Sequence, residues 1–380
     1  MKLNLAEAAA RWTVLLALCC AVSVLTQFTA RAGQAAEEEF QTQFFKLCDL
    51  ASAELSAGKR QPGFFIDSYA VRALCVAYDL TGKKSYLNAC RAWSDEMVGF
   101  QEKMVPHGAY YMNYGRKPGE TNGGWYVADS SSIAMGVLAT AVRCEGAEKQ
   151  RFLNSAKSFA ALVMDNYVGS SGGIRNGLWP KFDGEWWCSS GIFGSLAFLL
   201  HDETGDEGYL RVARGTLDWL NSLDLAKDQP YPLSEMGPTM VMYVLETYSA
   251  GLPHLKPGST SHKAALRQIS WALDWMAEQQ PKPPAERQWP APVKWGMKFG
   301  GLPFHQYVYS RSLPDRQKLS AAADREMQQL ASVVFAKQPE LSQLTVFMMI
   351  SYAERLSPGT VYRNSKSSRT AVGDGRQKKR

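Results

Sequence analysis

Two aspartates sit where carboxylates could share a reaction. Asp67 lies in Phe65-Ile66-Asp67-Ser68-Tyr69 and Asp129 in Tyr126-Val127-Ala128-Asp129-Ser130-Ser131-Ser132, each at the expected start of a helix. Glu185, in Asp183-Gly184-Glu185-Trp186-Trp187, takes the same place before a third helix. Carboxylates facing one cleft can serve as general acid and general base. An Asp followed by Ser also suits a helix N-cap, so capping is the competing role for Asp67 and Asp129. Glu120, Asp183 and Glu235 are weaker acids on loops. A second set mixes other types: His107, Tyr110, Tyr111, Asn113, Tyr114 and Arg116 crowd one short segment. An Arg or Asn to neutralise a carboxylate, a His or Tyr base and a Tyr acid can remove a proton beside a uronate carboxylate. His305, with Tyr307, Tyr309 and Arg311, offers those types again.

Aromatic residues gather in the same segments. Of the ten tryptophans after the first 35 residues, Trp125, Trp179, Trp186, Trp187, Trp289 and Trp295 fall in expected loops. Tyr110, Tyr111, Tyr114, Tyr126 and Tyr231 join them. Rings around a cleft can stack on the C–H faces of pyranoses, so the set points to an oligosaccharide or polysaccharide partner. For any one ring, packing of a loop onto the core is the plainer role.

The elements that must position these residues repeat along the chain. Asp79-Leu-Thr-Gly82-Lys-Lys-Ser-Tyr86-Leu87 and Asp202-Glu-Thr-Gly205-Asp-Glu-Gly-Tyr209-Leu210 share D-x-T-G-x-x-x-Y-L, and Glu145–Leu153 is a degenerate copy. Each copy joins two stretches with helical spacing of apolar residues. Its Gly suits the left-handed turn that ends one helix before the next begins. Twelve helices are expected, near 38–57, 67–80, 84–102, 129–143, 147–167, 189–201, 206–222, 237–250, 261–280, 301–311, 315–337 and 341–356. Even-numbered ones are apolar on nearly every side and odd-numbered ones carry a charged face. This alternation predicts an all-α fold, an (α/α)6 toroid of twelve alternating inner and outer helices. The long loops, about 103–128, 168–188, 225–236 and 281–300, then lie on the side where inner helices begin.

Charge and composition bound the rest. The chain is 46% apolar and 21% charged, which excludes a disordered protein. Residues 1–35 carry +2 and residues 363–380 carry +6 of the net +6, leaving the middle at −2. That distribution speaks against nucleic acid as a partner. Lys2 and Arg11 precede the apolar run Val14–Leu25, and Ala30-Arg31-Ala32 offers a small-x-small cleavage site. The pattern predicts a signal peptide over 1–35, a secreted or periplasmic catalytic domain over 36–357 without stable membrane insertion, and a disordered basic tail over 358–380. Cys48, Cys75, Cys90, Cys144 and Cys188 would remain, an odd number without CxxC spacing, and read as buried apolar residues. No cofactor and no metal ligand set is assigned.

The run from Ile66-Asp67-Ser68-Tyr69 through Tyr78, Gly82 and Tyr86 resembles the inner-helix and turn motif of six-hairpin glycosidases. The similarity is greatest to unsaturated glucuronyl and rhamnogalacturonyl hydrolases, glycoside hydrolase families 88 and 105. Those enzymes carry Asp at the start of two successive inner helices, at an interval comparable to Asp67 and Asp129. The resemblance implies that Asp129 protonates the 4,5-double bond of an unsaturated uronide and then activates water, with Asp67 assisting and no metal required. Tyr126-Val127-Ala128-Asp129 keeps one Asp where the rhamnogalacturonyl branch carries Trp-Ala-Asp-Asp. Polysaccharide lyase or uronate C5-epimerase chemistry by the His/Tyr/Arg sets, and noncatalytic glycan binding, are the alternatives.

Overall fold

The structure is a computed structural model, and it describes residues 37–178, 183–225, 227, 238–278 and 293–362. The compact unit that carries the elements below starts at Lys46; the residues before it, Met1–Phe45, form a separate unit. Helix α1 covers 37–56. Then follow α2 (Phe64–Thr81), α3 (Lys84–Gln101), α4 (Val127–Ala141), α5 (Gly146–Asn166), α6 (Trp187–Thr204) and α7 (Glu207–Ser222). The last five are α8 (Pro238–Gly251), α9 (Thr260–Glu278), α10 (Val293–Tyr309), α11 (Arg316–Val334) and α12 (Gln343–Leu356).

The even-numbered helices form a closed inner ring. Each packs on the next, and α12 packs back on α2. Their sequences demand this: α6 is buried without a break from Trp187 to Leu200, so it must be surrounded on all sides. The odd-numbered helices present one apolar stripe each. In α7 that stripe is Tyr209, Leu210, Ala213, Thr216, Leu217 and Leu220, at spacings of three and four, laid against α6. The part of α1 from Lys46 onward joins the outer layer beside α3, where Ser52 donates to the Ser85 carbonyl and Tyr86 donates to Asp49. The toroid read from the sequence is the fold of the protein.

The repeated turn forms as its sequence requires. Gly82 and Gly205 adopt φ 69° and 73°, and their N–H groups donate to the carbonyls of Tyr78 and His201. Close approach matters at Gly191 on α6, where a Cβ would stand 2.4 Å from the Tyr243 carbonyl oxygen of α8. The degenerate copy differs: α4 ends at Ala141, and Gly146 opens α5 at φ 57°. Helix α10 starts at Val293 rather than near 301, with Pro303 inside it. Gly300-Gly301 and Pro303 imitate a helix start in the sequence and hide the turns before them.

The loops before α4 and α6 meet at the N-terminal end of the inner ring. Trp125–Tyr126 (β1) pairs antiparallel with Gly177–Leu178 (β2), and the Val127 N–H donates to the Asn176 carbonyl at the mouth of α4. This two-residue ladder was not foreseen. Cys48, Cys75, Cys90, Cys144 and Cys188 are free and buried, as read. Residues 1–36 and 363–380 lie outside the described residues, and with them the whole expected signal peptide and most of the expected tail. Among the described residues no helix is long and apolar enough to cross a membrane.

The boundary of the tail moves. Thr360–Tyr362 form a 3-10 turn against α12 and α2, and Val361 and Tyr362 are buried. Disorder from 358 is therefore wrong for 358–362, because two apolar side chains anchor them. A chain ending at Tyr362 should melt like the full chain. A chain ending at Ser357 should lose about 3 kcal/mol, one buried Val and one buried Tyr. Equal urea midpoints for the two truncations would refute the anchoring.

Candidate active site

Neither aspartate caps its helix. The N-cap positions are Gly63 for α2 and Tyr126 for α4, with no side-chain cap in either case. Asp129 stands in the first turn of α4, and its carboxylate accepts from two tyrosines instead. Tyr114, from the loop before β1, donates to Oδ2. Tyr243, near the start of α8, reaches across the ring to donate to Oδ1 at 2.9 Å. The residue as a whole is half-buried, with its carboxyl closely surrounded by protein. Protein crowded around the carboxyl raises its pKa, and the two hydroxyl donors, which favour the anion, lower it less than burial raises it. The result is an acid more reluctant to ionise than an ordinary aspartate, yet equipped to hold the charge once the proton leaves.

Asp67 is placed differently. It is fully buried, and Tyr69, two residues on, points about 200° away around the helix. Tyr69 and Arg72 look into the ring, so Asp67 looks out of it. Its carboxylate accepts from the Gln61 N–H at 3.3 Å beside the Arg60–Glu96 ion pair. The expectation that Asp67 and Asp129 point into one mouth is corrected by this helix geometry. Burial pushes the Asp67 pKa up to about 7, against the pull of the Gln61 N–H and Arg60. Since the folded value lies above the unfolded one near 3.8, the folded state binds the extra proton. Stability should fall as pH rises from about 4 to about 7, with the penalty complete above that. Asp67→Asn should remove this slope and gain on the order of 2 kcal/mol or more at pH 8. Parallel urea titrations across pH check it; an unchanged slope would sink the assignment.

The other expected residues scatter. Glu185 accepts from the Ser171 N–H at 3.0 Å and from its hydroxyl, which pins the turn at 169–173. Tyr110 is buried against Ser155, at 2.6 Å, and its carbonyl accepts from the fully buried Trp125 indole at 3.0 Å. Trp186 and Trp187 are buried too. These rings pack the loops onto the barrel, the plainer role, because loops of this length have their own cores to fill. Tyr111 stands edge-on to Phe64 and Phe100. Arg116 is occupied by the carbonyls of Val105 and Gly123, and His107 is exposed on its turn. Trp179, Trp289, Tyr231 and Glu235 lie outside the described residues, as does the side chain of Trp295. The aromatic pair that does flank Asp129 is Tyr114 and Tyr126, centroids 6.3 Å apart and both half-buried.

His305 is sealed inside the ring. It is fully buried beside Tyr309, and burial together with Arg72 pulls its pKa down to about 3, so it is neutral. Around it runs a tie the sequence reading missed. Tyr69 donates to Oε1 of Glu246 on α8, and Arg72 Nη1 donates to Oε2 at 3.0 Å. The Arg72 guanidinium lies 4.0 Å from the Tyr69 ring centroid. With Tyr243 this places four polar side chains of α2 and α8 on the inner face: Tyr243 at the mouth, and Tyr69, Arg72 and Glu246 below it. Their signal was polar residues inside otherwise apolar runs, Met-Val-Met-Tyr243-Val-Leu-Glu246 above all.

Six helical hairpins closed into a ring, with loops and polar residues at one end, define the six-hairpin toroid. No family model and no curated protein matches this sequence. Among solved structures, an unsaturated glucuronyl hydrolase specific for heparin superposes with TM-score 0.54 at 12% identity, over 83% of this chain and 97% of that one. A GH76 α-mannanase of Bacteroides thetaiotaomicron gives 0.57 at 10% identity, over 83% and 95%. Dfg5 from Chaetomium thermophilum, solved with glucosamine, gives 0.53 at 13% identity, over 86% and 90%. The fold is that of the six-hairpin glycosidases.

Proposed function

We propose that the protein is a glycoside hydrolase that removes an unsaturated uronyl unit from an oligosaccharide, with Asp129 as acid and then base. The observation that carries this reading is the Asp129 carboxyl held between the Tyr114 and Tyr243 hydroxyls. Direct displacement at a glycosidic bond needs two carboxylates flanking it. Among the described residues Asp67 is sealed and Glu185 is committed to its turn, whereas hydration of an enol ether needs one carboxyl that gives and then takes a proton. Protonated Asp129 delivers its proton to C4 of the 4,5-double bond, and the ring oxygen supports the positive charge at C5. The carboxylate, steadied by both tyrosines, then takes a proton from water as that oxygen bonds to C5. The hemiketal opens, and the partner sugar leaves from C1. Tyr114 and Tyr126 supply the aromatic flank for the ring. The charged-then-apolar pattern of residues 1–35 supports action outside the cytoplasm.

The lyase and epimerase alternatives lose support from the geometry, since Arg116 is occupied and His305 is sealed. The test is incubation with intact uronic polysaccharides and, separately, with their unsaturated oligomers. Loss of the double-bond absorbance on oligomers is expected. Its appearance on polymers would make the protein a lyase, and binding without change would leave a glycan-binding module.

A further inference from the structure

We infer that the end of the barrel opposite Asp129 carries a binding site for a divalent transition cation of the Zn²⁺ class, formed by His201, Asp202 and His254. One ligand atom from each lies within 4.8 Å of the others. His201 and Asp202 belong to the last turn of α6, and His254 ends the 3-10 turn Leu252–His254 that follows α8. His254 Nε2 and Asp202 Oδ1 are 3.2 Å apart. Two ligands on a tetrahedral Zn²⁺ with bonds near 2.0–2.1 Å stand roughly 3.3 Å apart, so this edge is already set.

The surroundings orient the imidazoles as ligands. His201 Nδ1 stands 3.1 Å from the Asp206 carbonyl oxygen, which accepts its proton and leaves Nε2 with the free lone pair. A backbone carbonyl on the outer nitrogen is how protein-bound metals have their histidines held. His254 is fixed by stacking on Phe198, centroids 4.9 Å apart and planes 20° from parallel. The two imidazoles meet edge-on at 5.8 Å. The site also lies at the C-terminal end of α6, where the unpaired carbonyls favour positive charge. Two imidazoles and one carboxylate select a borderline cation over Mg²⁺ or Ca²⁺, which prefer all-oxygen sets. Asp202 is exposed and both histidines are partly so, which leaves water to complete the shell. Nothing here touches the mouth. The cation would act as a staple between the ends of two adjacent inner helices, independent of the proposed reaction.

The test uses the full, untagged chain stripped with chelator. Added Zn²⁺ at a hundredfold excess over its dissociation constant should raise the melting temperature by roughly 3–6 °C. Co²⁺ should give visible absorption bands that Zn²⁺ abolishes. His254→Gln should lose both effects; if that variant folds poorly, the exposed Asp202→Asn makes the same comparison. An unchanged melting temperature with Zn²⁺, or an equal rise in wild type and variants, would overturn the site. So would Co²⁺ bands that persist in Asp202→Asn and His254→Gln alike, since the ion would then sit elsewhere.

Discussion

Asp129→Asn is expected to fold normally and to lose at least about 10³-fold in turnover of the unsaturated substrate, the scale of a positioned acid and base removed together. The amide oxygen can still accept from one of the two tyrosines while its NH2 donates to the hydroxyl oxygen of the other, so the clamp survives and the change in stability should stay within about 1 kcal/mol. What it cannot do is hand over a proton. Tyr243→Phe makes the companion case. It removes a donor that favours the ionised carboxylate, so the Asp129 pKa should rise further and the alkaline fall in rate should move to higher pH. Kinetics with circular dichroism as the folding control read both. A folded Asp129→Asn enzyme with near-normal rate would reduce Asp129 to a buried structural acid.

Glu246→Ala carries the largest expected loss of stability. The Arg72–Glu246 pair is fully buried, and its partners come from opposite sides of the inner ring. Removing the carboxylate leaves a guanidinium charge inside the barrel without its counter-ion, which costs about 3–5 kcal/mol. The Tyr69 hydroxyl loses its acceptor in the same step. Replacing both charges, as in Arg72→Leu with Glu246→Leu, should recover most of that loss, because the pair itself contributes little net stability once its desolvation is counted. Denaturant midpoints of the single and double variants decide it. A single variant within 1 kcal/mol of wild type would mean that the ring does not depend on this tie.

Much of the architecture was legible because inner and outer helices differ in composition, not only in period. Leu196–Leu200 admits no solvent face, whereas the charges of α9 admit no second apolar one. The Gly82 and Gly205 turns were legible because a left-handed residue leaves a specific mark. The site was half legible. Asp129 stood out by its place at a helix start, but so did Asp67, and only the 200° between Asp67 and Tyr69 separates a carboxyl that faces the ring from one that turns its back on it. Tyr243 and Glu246 come from more than a hundred residues away, and no local pattern ties them to Asp129 or Arg72. The tryptophans misled for a physical reason: an indole that fills a loop's own core and one that binds sugar have the same composition. Trp125 proved to be the former, and Trp187 opens the buried run of α6.

The proposed reaction has one signature that no ordinary glycosidic hydrolysis leaves. Protonation of the double bond places a solvent hydrogen on carbon, and that hydrogen does not wash out by breaking a C–O bond. The decisive measurement is therefore the proton spectrum of product formed in D₂O from an unsaturated uronyl oligosaccharide. A single deuterium at C4 of the released uronyl unit, absent with Asp129→Asn, is the predicted result. Cleavage by the wild-type protein with no deuterium bound to carbon would contradict the account.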